Sequence, residues 1–264
     1  MKITEYSIKT NKINKELCIA TVSDLHARDP KRVLSALRDM SPDMILLPGD
    51  ILEVANDYMA KRNQNAILFF SEAVKIAPSY YCFGNHEIYY SHAVKEKNRI
   101  PNSNMHDEIM NQVKAAGVNV VNDTFVSVEL PDNEAILIGG LVCGQDTNPA
   151  LNQTTPNLEF LNEYSNENAF KILLCHYPHY YDEYLKQSDF DIILSGHAHG
   201  GHWRFFGQGI YAPHQGLFPK YTYGMHFGRF IISTGAVNNT KPIPRFFNRP
   251  EILKITIHPQ KEMQ

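Results

Sequence analysis

The chain has 264 residues, 12 histidines and a formal net charge of −3, with 43% hydrophobic and 20% charged residues. This is the composition of an ordinary globular protein, long enough to bury a large core. Near-neutral charge with scattered Lys and Arg gives no footprint for duplex nucleic acid, and no apolar run reaches the roughly 20 residues of a membrane span.

The N-terminal ten residues are polar and lack the apolar core of a secretory signal. Cys18, Cys82, Cys143 and Cys175 lie in or beside apolar runs with no Cys-x-x-Cys pair, which suits reduced thiols acting as small hydrophobes. Together these features predict a cytoplasmic protein.

Residues 1–16 predict a short leading strand and turn. Leu17–Val22 is a compact apolar strand that empties into Ser23-Asp24-Leu25-His26. On an extended backbone Asp24 and His26 point the same way, a half-site for a transition metal. Alternatively, Asp24 caps the helix that starts near Pro30, and His26 is a loop residue. Lys31–Met40 has the apolar spacing of an amphipathic helix. Asp43–Pro48 is the next buried strand and ends in Gly49-Asp50. This strand–helix–strand crossover sets a second carboxylate at the strand's carboxyl end, the edge where open α/β sheets place ligands.

Residues 51–77 predict a core helix. Ser79–Phe83 is a third short strand, ending in Gly84-Asn85-His86-Glu87. The polar segment 88–112 predicts a helical excursion over the site, with His92 and His106 solvated. Phe125–Leu130 and Ala135–Ile138 flank a Pro-Asp-Asn turn and predict a hairpin. A polar loop at 144–168 leads into a helix near Leu158–Tyr164. Lys171–Cys175 is another buried strand, followed by His176-Tyr177-Pro178 and a helix near Tyr180–Gln187.

Phe190–Leu194 is too short for a helix and reads as a buried strand. It opens onto Ser195-Gly196-His197-Ala198-His199-Gly200-Gly201, two histidines bracketed by glycines that allow tight turns. Residues 202–228 predict long aromatic loops holding His202, His214 and His226. They read as cover for the sheet edge, or as an apolar rim for a lipid or nucleobase group that could also touch a membrane. Phe230–Ile232 and Ile252–Ile257 are the last strands. Arg28, Arg229, Lys241, Arg245 and Arg249 are candidate phosphate contacts or solvated surface. There is no repeat or linker, so residues 1–264 read as one domain.

Five apolar strands thus end in metal-type ligands: Asp24 and His26, Asp50, Asn85 and His86, His176, and His197 with His199. Oxygen and imidazole donors without thiolate suit Mn²⁺, Fe or Zn²⁺. Leaving His86 aside, seven donors exceed one metal's needs, whereas two metals roughly 3.5–4 Å apart could share a carboxylate.

Asp-x-His, Gly-Asp, Gly-Asn-His-Glu, His-x-Pro and Gly-His-x-His, in this order, resemble the calcineurin-like metallophosphoesterases. The tail, with Gly200-Gly201, Ser233-Thr-Gly235 and Pro250-Glu-Ile252, resembles a bacterial membrane-linked phosphodiesterase branch, without the N-terminal anchor its members often carry. Ala198 stands where many relatives have Thr.

The resemblance implies an α/β fold, a four-layer α/β/β/α sandwich of two mixed sheets with the metal site at the strand C-terminal ends. The hairpin-rich middle and the C-terminal strands would build much of the second sheet. It further implies two divalent or trivalent ions, one on Asp24, His26, Asp50 and His199, the other on Asp50, Asn85, His176 and His197. A metal-bridging hydroxide would attack phosphorus in line, and His86 would protonate the leaving oxygen. Glu87 would orient His86 or lie on the surface. The implied substrate is a small phosphate ester, nucleotide-type or lipid-linked. A broad phosphomonoesterase is an alternative within the enzymes, and a metal-depleted protein-binding scaffold is one outside them. The complete ligand set and His86 favour an enzyme.

Overall fold

The computed structural model describes residues 1–53, 57–88, 103–131, 134–143, 146–148, 153–237 and 245–260. Its first sheet holds β1 (Lys2–Thr10), β2 (Leu17–Thr21), β3 (Met44–Pro48), β4 (Ser79–Cys82) and β5 (Asn119–Val120). The last long strand, Glu251–Pro259, joins them, lying parallel to β1 and antiparallel to β2. Strands β2 to β5 run parallel, linked by crossover segments that carry the helices α1 (Lys31–Met40), α2 (Asp57–Ala73) and α3 (Ser103–Ala115).

The second sheet opens with the expected hairpin, β6 (Thr124–Leu130) against β7 (Glu134–Leu141). A short pair, β8 (Asp146–Asn148) and β9 (Gln153–Thr154), precedes the helix α4 (Leu158–Ser165). β10 (Phe170–Cys175) and β11 (Ile192–Ser195) then extend the sheet in parallel from β7. Four two-residue strands follow as two small hairpins: β12 (Arg204–Phe205) with β13 (Gln208–Gly209), and β14 (Tyr211–Ala212) with β15 (Gly216–Leu217). β16 (Gly224–His226) and β17 (Phe230–Ile232) complete the sheet, and β18 is the terminal Glu251–Pro259 strand already described.

Side-chain alternation separates three cores and thereby four layers. In β3, Ile45 and Leu47 face Val33, Leu37, Phe69 and Phe70 of α1 and α2. The alternate Met44 and Leu46 meet Ile136, Ile172 and Leu194 of the second sheet. In β10, Leu173 and Cys175 turn outward onto Phe160, Leu161 and Tyr164 of α4. Both faces of these strands are covered, which is why they read as continuous apolar runs rather than alternating ones. Cys82, Cys143 and Cys175 are buried free thiols and Cys18 is half-buried.

Several boundaries differ from the sequence reading. β18 belongs to the first sheet, because Leu253, Ile255 and Ile257 reach the inter-sheet core beside β2. A strand's period does not say which sheet it joins. α2 starts at Asp57, so residues 51–53 form a loop. The segment predicted as a helix near Tyr180–Gln187 is a short wide turn over Tyr181–Leu185. Arg229, a candidate phosphate contact, instead donates to the carbonyls of Lys186, Ser188 and Phe190 beyond it. Within the predicted 88–112 excursion, α3 is helical and residues 89–102, including His92, lie outside the described residues. The side chain of His106 and all of Lys241 lie outside them too. No helix among the described residues is long and apolar enough to cross a membrane.

At Gly140 of β7 the two sheets approach closely. A Cβ there would meet the Val121 carbonyl and lie 2.7 Å from Cys82 Cβ. The Gly140→Ala variant is expected to lose about 1–3 kcal/mol of stability. That would lower the melting temperature by several degrees in a circular-dichroism melt; an unchanged melt would mean the sheets can part there at no cost.

Candidate metal centre

β2, β3 and β4 of one sheet, and β10 and β11 of the other, deliver their following loops to one place. Asp24, His26, Asp50, His176, His197 and His199 are all buried there. Three groups of donor atoms form, each within 4.8 Å: Asp24–His26–His199, His26–Asp50–His86, and Asp50–His176–His197. The structure thus brings together six of the seven predicted ligands and His86. The seventh, Asn85, sits between Gly84, whose Cα lies against Asp50, and His86, with its Oδ1 buried and unpartnered.

The expectation of an extended Asp24-x-His26 backbone is not met. Asp24, His26, Asp50, His197 and His199 all have left-handed φ, between 46° and 67°. Asp and His tolerate this region better than most residues, yet each such position costs on the order of 1 kcal/mol. Each loop turns sharply after its strand and folds its side chain back over the sheet edge. Gly84 is required for this: a Cβ would collide with Asp50 Oδ1 and lie 2.7 Å from its backbone N. Asp24 does not cap the helix after Pro30, which has no side-chain cap. Its carboxylate accepts from the His197 backbone N–H at 3.1 Å, tying the two sheets' loops together.

Glu87 neither orients His86 nor lies on the surface. It is buried and accepts from the N–H groups of Asp50, Leu52 and Gly84, at 3.0, 2.9 and 2.8 Å, and from the Tyr81 hydroxyl at 2.6 Å. It ties the loops after β3 and β4 to each other. The partner of His86 is Glu53, which sequence reasoning missed because it lay inside a predicted helix. His86 Nδ1 donates to Glu53 Oε1 at 2.5 Å, and His26 Nδ1 lies 3.5 Å from Glu53 Oε2. One carboxylate therefore hydrogen-bonds His86 and faces His26, and Asn63 of α2 holds the Glu53 backbone through its own side-chain amide. The signal available in sequence was an acid three positions after Asp50.

Burial disfavours the charged form of Asp50, but His176, His86 and His26 outweigh it and hold the carboxyl well below its ordinary value. In return, burial pushes His176 and His86 down while the facing carboxylates, Asp50 first, raise each to about 9. His197 and His199 are held neutral by burial and by cationic neighbours. His176 Nδ1 donates to the Pro48 carbonyl at 2.7 Å, which turns its Nε2 inward, 3.1 Å from Asp50 Oδ2. Both nitrogens of His26 and Asn85 Oδ1 are buried without a well-formed hydrogen bond among the described residues. Buried polar atoms are normally satisfied. Orphaned imidazole and amide donors converging on ionised carboxylates fit metal ions.

Other predicted residues fall in different places. His214 Nδ1 lies 2.9 Å from His197 Nε2, and His179 stacks on His214. Burial and the His214 and His176 charges push His179 down to about 3. His226 sits against the Tyr223 carbonyl and His202 stacks on Tyr211. Arg245 reaches the centre: Nη2 is 3.3 Å from His199 Nδ1, and Nη1 is buried with no partner. Arg28 and Arg249 line an open cleft of about 880 Å³ whose lining includes none of the clustered histidines.

Residues 18–201, well over half of the chain, match the family model of the calcineurin-like phosphoesterases, and the chain belongs to that family. It is similar to an uncharacterised metallophosphoesterase of Bacillus subtilis, YkuE, at 25% identity over 97% of this chain and 85% of the relative. The Escherichia coli phosphodiesterase YaeI is 26% identical over 63% of this chain and 52% of its own length. A metallophosphoesterase of Aquifex aeolicus is 24% identical over 97% and 92%.

Adding Mn²⁺, Fe²⁺ or Zn²⁺ to chelator-treated protein should raise its melting temperature, since the ion binds the folded state. Asp50→Asn should lose most of that rise. Glu53→Gln should weaken metal affinity about 10–100-fold in a competitive chelator titration, because it releases His26. A Glu53→Gln titration matching wild type would remove the orienting role.

Proposed function

We propose that this calcineurin-like phosphoesterase hydrolyses a phosphodiester or pyrophosphate bond at a centre for two metal ions, Mn, Fe or Zn. Asp24, His26, Asp50 and His199 would hold one and Asp50, Asn85, His176 and His197 the other. What supports this most is the pair of donor groups, Asp24–His26–His199 and Asp50–His176–His197, set side by side with orphaned ligand atoms on His26 and Asn85. Bound cations would supply a water acidified toward neutral pH and neutralise phosphoryl oxygens.

The chain's own residues do the rest. His86 has 25% of its side chain exposed, against 1% for His26 and none for His176, so it is the imidazole that faces an incoming ester. Glu53 fixes its Nδ1–H and thereby directs Nε2, and Asp50 and Glu53 keep it protonated. A protonated, half-open imidazole suits a general acid that gives its proton to the departing oxygen. Arg245, with an unpartnered Nη1, can take a non-bridging phosphate oxygen in a charge-assisted hydrogen bond. The preference for a diester over a monoester leans on the name of YaeI, and nucleotide-type and lipid-linked esters both remain compatible with the site.

Metal-loaded protein should turn over a bis(p-nitrophenyl) phosphate faster than the monoester. His86→Ala should keep its metal content and lose about 10²–10⁴ in kcat on an alkyl diester. The loss should be smaller with p-nitrophenolate, which leaves without a proton. An equal loss on both substrates would refute the acid role. His86→Ala should also remove a limb of kcat that falls as pH rises through the His86 pKa, because only the protonated form donates. Arg245→Ala should raise KM with metal content unchanged; a rise in metal loss instead would place Arg245 in support of His199.

A further inference from the structure

Residues 192–250 contain no Asp or Glu, but they contain Arg204, Lys220, Arg229, Lys241, Arg245 and Arg249. The rest of the chain carries all 28 acids against 19 Lys and Arg. This acid-free stretch forms the β12–β13 and β14–β15 hairpins and the segment before β18. It adjoins the metal centre directly: the Ile210 N–H donates to the Gly201 carbonyl, and Asn248 Nδ2 donates to the His199 carbonyl.

The aromatic loops of this stretch read in sequence either as cover for the sheet edge or as an apolar rim, and the exposures decide against simple cover. Phe206 is 108% exposed, Phe247 81%, Leu217 69% and Phe218 67%, with Phe205 and Phe246 about half exposed. Phe206, Phe218 and Phe247 also have left-handed φ, between 50° and 53°. At such a turn Gly or Asn is the ordinary residue, and a side chain with an apolar ring is disfavoured both by the backbone and by water. Strained apolar residues held in solvent call for a partner.

The loops that carry the exposed rings are tied to one another. Phe205 and Phe247 lie 5.8 Å apart, the Arg204 N–H donates to the Phe246 carbonyl, and Gln208 Nε2 donates to the Pro219 carbonyl, joining the two hairpins. Two residues beyond Phe247, Arg249 opens the 880 Å³ cleft, whose lining carries Lys2, Arg28 and Arg32 against the single acid Asp29.

We propose that this face docks on the surface of an anionic phospholipid bilayer, with the phenylalanine tips at headgroup level and the exposed Arg28, Arg32 and Arg249 of the adjoining cleft over lipid phosphates. Aromatic rings favour the membrane–water interface, and each nearby cation gains from the negative surface potential. A second copy of the chain, pairing this face with itself, would set cations against cations. A nucleic acid strand would want a groove with rings placed for stacking, whereas these rings stand at the apices of separate turns. The inference stands on exposure, backbone conformation and charge, and does not depend on which ester is hydrolysed.

The test is sedimentation of metal-loaded protein with vesicles of phosphatidylcholine alone and of phosphatidylcholine mixed with phosphatidylglycerol. Wild type should pellet with the mixed vesicles, less so at high salt, and stay in solution with the neutral ones. The triple variant Phe206→Asn, Phe218→Asn, Phe247→Asn should bind mixed vesicles at least about tenfold more weakly. It should keep its metal content and its activity on a small soluble diester, and melt at the same or a higher temperature, because Asn accepts the left-handed conformation. The proposal is overturned if wild type ignores anionic vesicles or if the triple variant binds them like wild type. It is equally overturned if light scattering shows a wild-type dimer that the triple variant breaks without any vesicle binding, or if wild type binds oligouridylate and no vesicles.

Discussion

Four buried carboxylates, Asp24, Asp50, Glu53 and Glu87, meet at one edge of two packed sheets, and the structure of this edge follows from giving each of them polar partners. A buried carboxylate without compensation would take up a proton. Each of the four is compensated differently. Asp24 takes the His197 amide, Asp50 takes the His86 amide and faces three imidazoles, Glu53 holds His86, and Glu87 gathers three amides and a phenol. Cations placed among the remaining imidazole and amide atoms would complete the set.

The fold supplies the positions. Parallel strands in both sheets run toward the same edge, so five loops arrive together although they are far apart in sequence. Sharp left-handed turns then fold the side chains inward, and the conformational cost of those turns is tolerable because the loops are anchored at both ends by the buried carboxylates. Glu87 acts on the loops and Glu53 on the rings, and neither belongs to the predicted ligand set. Their loss would disturb several donors together, as expected of a connected polar network.

The segment after Gly201 lies beyond the span of the family model and builds one side of the centre. His214 backs His197, Arg245 reaches His199, and the exposed phenylalanines stand on the same loops.

Much of the layering was legible in the sequence. Apolar runs of four to six residues ending in Asp, Asn and His gave the strands, their order and the candidate donors, because local periodicity and strand-end chemistry are properties of contiguous residues. The placement of β18 in the first sheet was not legible, since a strand's pattern does not encode its neighbour. Nor were Glu53, Glu87 and His214 in their roles: each acts on a residue supplied by another segment, 33 positions away for Glu53 and His86, and 17 for His214 and His197. The exposure of Phe206, Phe218 and Phe247 was also decided only by the tertiary structure. Sequence reports that a residue is apolar, whereas burial depends on which surfaces remain to cover it once both sheets have packed.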